Sequence, residues 1–121
     1  MSVAVDIAAL GERIAEYGDR AYLVTVGDEG SPHVVSVEVV LDGAQLAVRV
    51  GNRTAANLSD RAAATLLWPP PAGSAYSLLV DVVADPPVAA GPCALRPDTA
   101  VLHRVAGAAG DGPTCRPVET A

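Results

Sequence analysis

Between residues 33 and 50 the chain alternates: His33-Val34-Val35-Ser36-Val37-Glu38-Val39-Val40-Leu41, then Asp42-Gly43, then Gln45-Leu46-Ala47-Val48-Arg49-Val50 after Ala44. A period of two throws successive side chains to opposite faces of a strand, and an Asp-Gly pair supplies the positive backbone angles that a tight hairpin needs. This pattern requires antiparallel strands with one apolar face, made of Val35, Val37, Val39, Leu46, Val48 and Val50. With a two-residue loop at Asp42-Gly43, residue 41 pairs with 44 and Ser36 lies opposite Arg49, with Glu38 diagonal to it, on a semi-polar second face. That face reads either as ordinary solvated strand or as a ligand or subunit surface.

The rhythm continues on both sides. Residues 21–26 form a strand ending in the turn Gly27-Asp28-Glu29-Gly30, and residues 64–68 and 76–83 form two more. Residues 88–95 and 99–104 supply a sixth and a seventh, the sixth made irregular by Gly91-Pro92. Pro69-Pro70-Pro71 must be loop because proline cannot donate to a ladder, and Asp85-Pro86-Pro87 breaks the chain again. Upstream, Val3, Ile7, Leu10, Ile14 and Tyr17 recur at helical steps, which predicts one amphipathic helix capped by Ser2, ended by Gly18 and lying as a lid on the barrel. A short helix starts near Asn52 to Thr54. The expected fold is mainly β (α+β): a six- to seven-stranded antiparallel barrel with an N-terminal helix and one short helix after the third strand. Residues 1–121 form a single domain, of which 106–121, rich in Gly, Ala and Pro, is an extended tail.

Composition narrows the chemistry. Half the residues are hydrophobic but only 3% are aromatic and none is Phe, so the core is built from Val, Leu, Ala and Ile. All eight cationic side chains are Arg, which rules out a lysine Schiff base. A net charge of −6 repels phosphate backbones, and no Arg cluster offsets it, so nucleic acid is not the expected partner. The N-terminus carries no basic leader and no apolar run is long enough to span a bilayer, so the expected location is the cytoplasm, away from membrane. Cys93 and Cys115 lack ligand-like spacing and read as incidental thiols.

Gly51-Asn52-Arg53-Thr54 stands at a strand-to-helix junction, where free backbone N–H groups and the positive end of the helix dipole can receive an anion. Arg53 adds a forked phosphate donor, and Thr54 and Asn57 add a hydroxyl and an amide from the first turns. The competing reading makes Thr54 or Asn52 a cap, Asn57 a tie to a neighbouring loop and Arg53 a solvated side chain. No GxSxG elbow marks a nucleophile, and His33 and His103 read as structural, so catalytic residues are unassigned. Metal-ligand spacing, GxGxxG and the P-loop pattern are absent from the sequence.

The succession Tyr22-Leu23-Val24-Thr25-Val26, Asp28-Glu29-Gly30-Ser31-Pro32-His33, a Val-rich strand, then Arg53-Thr54-Ala55-Ala56-Asn57-Leu58 before Thr65-Leu66-Leu67-Trp68 resembles the pyridoxamine 5′-phosphate oxidase-like split-barrel family. The family's opening has the form LxTxxxDGxPH, and (K/R)xxNL comes before a later strand. The resemblance implies a split barrel, a homodimer, and flavin mononucleotide (FMN) or the deazaflavin coenzyme F-420 held between subunits, with a cofactor-free chain as the remaining alternative. It implies a phosphate site at Arg53, Thr54 and Asn57, and a ring laid against Val35, Ser36 and Val37 and against Arg49 to Gly51. Many members carry Lys where this chain has Thr54. The implied activity is oxidoreduction of a small organic substrate, in which the flavin does the electron transfer. The alternative is a non-catalytic split-barrel dimer that binds a ligand or partner after losing its redox role.

Overall fold

The computed structural model describes residues 3–106. The strands are β1 (Val3–Val5), β2 (Arg20–Val26), β3 (Pro32–Glu38), β4 (Val40–Asp42), β5 (Gln45–Val50), β6 (Ala63–Trp68), β7 (Ser77–Ala84) and β8 (Gly91–His103). Helices α1 (Leu10–Tyr17) and α2 (Asn52–Asp60) complete the fold. All pairing is antiparallel in one sheet of order β3-β2-β6-β7-β8-β5-β4, with β1 added on β8.

Only Val39 separates β3 from β4, yet the two lie at opposite ends of that order. One stretch of chain therefore supplies both margins of the sheet, which must curl until they meet. The result is a split barrel. Val39 is the crossing point: its N–H still bonds Asp19 O on the β2 side at 2.7 Å, while the next residue, Val40, already pairs with Ala47 of β5.

The hairpin forms, but its loop is Gly43-Ala44, with Asp42 opposite Gln45 and Gly43 at φ +60°. This differs from the predicted register by a slip of two, which keeps every side chain on its expected face. Val37, Val39, Leu46, Val48 and Val50 are buried as expected, and Val35 packs half-buried against them. Ser36 does not lie opposite Arg49, because β3 leaves the hairpin and pairs with β2, where Ser36 meets Tyr22.

Two further expectations are corrected. The first turn of the predicted N-terminal helix is strand: β5 covers β8 only from Gly91 to Leu95, and β1 fills the same margin farther along, opposite Ala100 to Leu102. Asp6, not Ser2, caps the helical turn Ile7–Ala9 that leads into α1, its carboxylate accepting from the Ala8 N–H at 3.0 Å. The expected sixth and seventh strands are one strand, β8. Asp81 pairs with Thr99 and Val82 with Pro97, so the step between them bulges out Asp98 and absorbs a proline that would otherwise interrupt the ladder. Of the tail expected over 106–121, everything beyond Ala106 lies outside the described residues, as does Cys115.

The core is enclosed by Leu23, Leu46, Leu58, Leu66, Trp68, Leu78, Val80 and Leu95. Helix α1 turns Leu10 and Ile14 inward and ends at Gly18, whose φ of +92° suits glycine. Two polar clasps hold that end: Trp68 Nε1 donates to Gly18 O at 3.0 Å, and Tyr17 Oη donates to Tyr76 O at 2.8 Å. Among the described residues no helix is long and apolar enough to cross a membrane.

Candidate functional site

Because β3 and β5 part company at Val39, a cleft of about 390 Å³ opens between them, lined by Ser36, Val37, Glu38, Val40, Ala47, Val48, Arg49 and Pro92. Small-ligand pockets start near ~300 Å³, so the cleft admits one flat ring system and little more. Its walls offer more than side chains. β3 pairs with β2 on one side only, and β5 pairs with β4 only over residues 45–47, so beyond that point both strands turn an unpaired ladder margin to the cleft. Such margins carry backbone N–H and C=O groups that need partners.

The charged groups at the cleft are Glu38 on β3 and Arg49 on β5. The ion pairs among the described residues are Arg13–Glu16 at 3.0 Å, Arg96–Asp85 at 3.6 Å and Arg61–Asp28 at 3.9 Å, and neither cleft charge takes part in one. Both side chains are exposed and turned to the same space as the Ser36 hydroxyl.

From Arg49 the chain runs through Val50 and Gly51 directly into α2. Gly51 is extended, with φ −86° and ψ −177°, and no side chain caps the helix, so the first-turn N–H groups keep their donors. Arg53 projects exposed from this turn. Thr54 and Asn57 do the opposite: they are 2% and 8% exposed, and Asn57 Nδ2 donates to Oγ1 of the fully buried Thr25 at 3.1 Å. The structure thus brings Ser36, Val37 and Arg49 together in the cleft and leaves Gly51 and Arg53 open at its continuation. It turns Thr54 and Asn57 inward, and it seats Val35, opposite Leu23, against the core.

Five lining residues, Glu38, Val40, Ala47, Val48 and Pro92, are not among the site residues expected from the sequence. Glu38 stands on the expected face but has no role marked by its spacing. Val40 and Ala47 become cleft residues only because the strand breaks at Val39, and Pro92 only because β8 sits beside β5, where it pairs with Arg49. Strand alternation on the Arg49 face would have nominated Ala47; nothing local announces Val40 or Pro92.

A second recess, of about 350 Å³, lies on the outer sheet face around Thr65, Asp81 and Asp98. Asp81 is already occupied there, accepting from Thr65 Oγ1 at 2.8 Å and from Thr99 Oγ1 at 2.9 Å. Among the described residues no cluster of three or more His, Cys, Asp or Glu side chains is arranged to hold a metal. Cys93 is buried, and that burial pushes its thiol pKa up, which disfavours the thiolate needed for nucleophilic work.

No family model matches the chain. It is 42% identical over 126 aligned positions to an uncharacterized protein of Mycobacterium bovis and equally to one of Mycobacterium tuberculosis, covering 91% of this chain and 86% of each relative. A solved structure named F420 reductase matches in fold, with a TM-score of 0.61 at 17% identity, over 74% of this chain and 94% of that one.

Proposed function

The chain belongs to the same family as these two uncharacterized mycobacterial proteins, and from that footing we propose that it is a split-barrel oxidoreductase of the pyridoxamine 5′-phosphate oxidase-like kind, binding a flavin or deazaflavin. The observation that carries the reading is the cleft itself: flat and mostly apolar, edged by unpaired ladder groups, and continuous through Arg49 and Gly51 with an uncapped helix start that bears Arg53. The residues fit the group. Val40, Ala47 and Pro92, with the backbone at Val37 and Val48, cover the faces of a ring; Ser36, Glu38 and Arg49 meet its polar edge; Arg53 and the α2 N–H groups receive a phosphate. The likeness in fold to a structure named F420 reductase favours the deazaflavin F-420 over FMN. When bound, either cofactor supplies the electron transfer to or from a small organic substrate, and this chain's part is to hold, orient and shield it.

A second copy is the proposed partner. On the outer face, register aligns Ser36, Tyr22, Leu67, Leu79 and Val101 across β3, β2, β6, β7 and β8, and the next row is Val34, Val24, Thr65, Asp81 and Thr99. Tyr22 on β2 is 44% and Val34 on the margin strand β3 56% exposed, so the face leaves large apolar side chains in solvent. On a chain of net charge −6, these two rows carry only one carboxylate, Asp81, and hydrogen bonds from two threonine hydroxyls lower, without removing, the cost of covering it. Ser36 belongs both to the apolar row and to the cleft, so a copy seated there would also wall the cleft.

One observation favours a non-catalytic binder as the second reading: Thr54 and Asn57 are spent inside the fold, which leaves Arg53 and backbone groups to carry a phosphate. Titration of the purified protein with FMN and with F-420, monitored by absorbance and fluorescence, tests the proposal. One cofactor should bind once per chain, F-420 more tightly, and Arg53→Ala should weaken it about tenfold, the worth of one charge-assisted contact. Failure of both to bind at millimolar concentration would remove the oxidoreductase reading. Binding without turnover across electron acceptors would select the second one.

A further inference from the structure

We infer that Glu38 and Arg49 together read a donor–acceptor edge, so that the cleft selects a flat, neutral heterocycle presenting a ring N–H beside a carbonyl. Two opposite charges line one small space from different strands, β3 and β5, and neither is engaged in an ion pair within the described residues. Guanidinium can only donate and carboxylate can only accept, so a ligand that satisfies both must offer an acceptor to Arg49 and a donor to Glu38. A single anion or a single cation would leave one of them facing its own sign. The two charges cancel, which favours a neutral ligand, and Ser36, able to donate or accept, tolerates either neighbour at the edge. Val40, Ala47 and Pro92, with the backbone at Val37 and Val48, give the rest of the cleft an apolar lining that favours a planar face. A lactam or imide ring meets all of these conditions.

This deepens the cofactor reading and rests on it for the ring alone, not for the phosphate. The test uses lumiflavin, a neutral tricycle whose single ring N–H is the imide N–H and which has no phosphate tail, and its 3-methyl derivative, in which that N–H is blocked. The full chain is titrated with each by fluorescence. Wild type should bind lumiflavin about tenfold more tightly than the methylated compound; Glu38→Ala should bind the two alike, and Glu38→Gln, which retains an acceptor, should keep part of the preference. Circular dichroism spectra matching wild type establish that the variants fold. Equal binding of both compounds to wild type, an undiminished preference in Glu38→Ala, or no binding of lumiflavin would overturn the inference. Parallel titration with FMN and F-420 separates the two ideas. If either cofactor binds while the methyl group makes no difference, the cofactor reading stands and the role of Glu38 falls. If the methyl group matters while neither cofactor binds, the edge reading stands and the cofactor proposal falls.

Discussion

Tyr17 and Cys93 both hold their protons more tightly in the fold than in the open chain. Burial is the main cause at Tyr17, raising its phenol above the ordinary 10.0, and burial alone raises the Cys93 thiol above 9.0. A raised pKa leaves the native state protonated where the unfolded chain has already released its proton. The stability this contributes is whole below about pH 9 and is lost as the pH climbs through the folded values. Melting temperature should therefore be flat from pH 7 to 9 and fall above it, with a shallower fall in Tyr17→Phe; the same alkaline slope in both proteins would contradict the assignment. At this scale the sequence was most opaque. Thr54 and Asn57 carry the chemistry of phosphate donors, and nothing in their spacing told that they are buried instead of facing solvent, because the partner of Asn57, Thr25 on β2, is remote along the chain.

Helix α2 shows how one element divides its labour. Ala55, Asn57 and Leu58 anchor it inward, while Gly51 and Arg53 leave its first turn open. Asn57→Ala removes the amide that meets the buried Thr25 hydroxyl and should cost about 1–3 kcal/mol of stability in denaturant titration, the penalty of an unsatisfied buried group. The same variant should leave phosphate affinity, measured in the cold where the protein stays folded, close to wild type. A tenfold loss of affinity at unchanged stability would instead return Asn57 to the ligand. Elements as such were legible: period-two runs found the strands of the barrel, and Gly18 ended α1 where expected. What local pattern did not hold was their neighbours. Val3 reads equally as the next apolar step of a helix or as a strand residue, and the open margin of β8 decided for the strand.

For the molecule as a whole, the apolar rows on the outer sheet face predict self-association. Tyr22→Arg combined with Val34→Arg would place two like charges in the middle of that face, and sedimentation should report a dimer for wild type and a monomer for the double variant at equal concentration; a monomeric wild type would dismiss the second copy. The curled sheet itself was foreseeable from alternation and hairpin chemistry. Its split was foreseen only through the resemblance to the split-barrel family, because the break at Val39 looks in sequence like one more valine in a run. That break has a consequence for life at high concentration. An open sheet normally advertises two loose selvedges to which any passing strand can stitch itself, the first step towards fibres. Here both belong to one bent segment and are folded back towards each other, with Glu38 on one lip and Arg49 on the other. A stray strand long and flat enough to extend the sheet meets a bend and two charges, whereas a small rigid molecule fits between. The device that makes room for a ligand also works against the addition of a foreign strand at the sheet's margins.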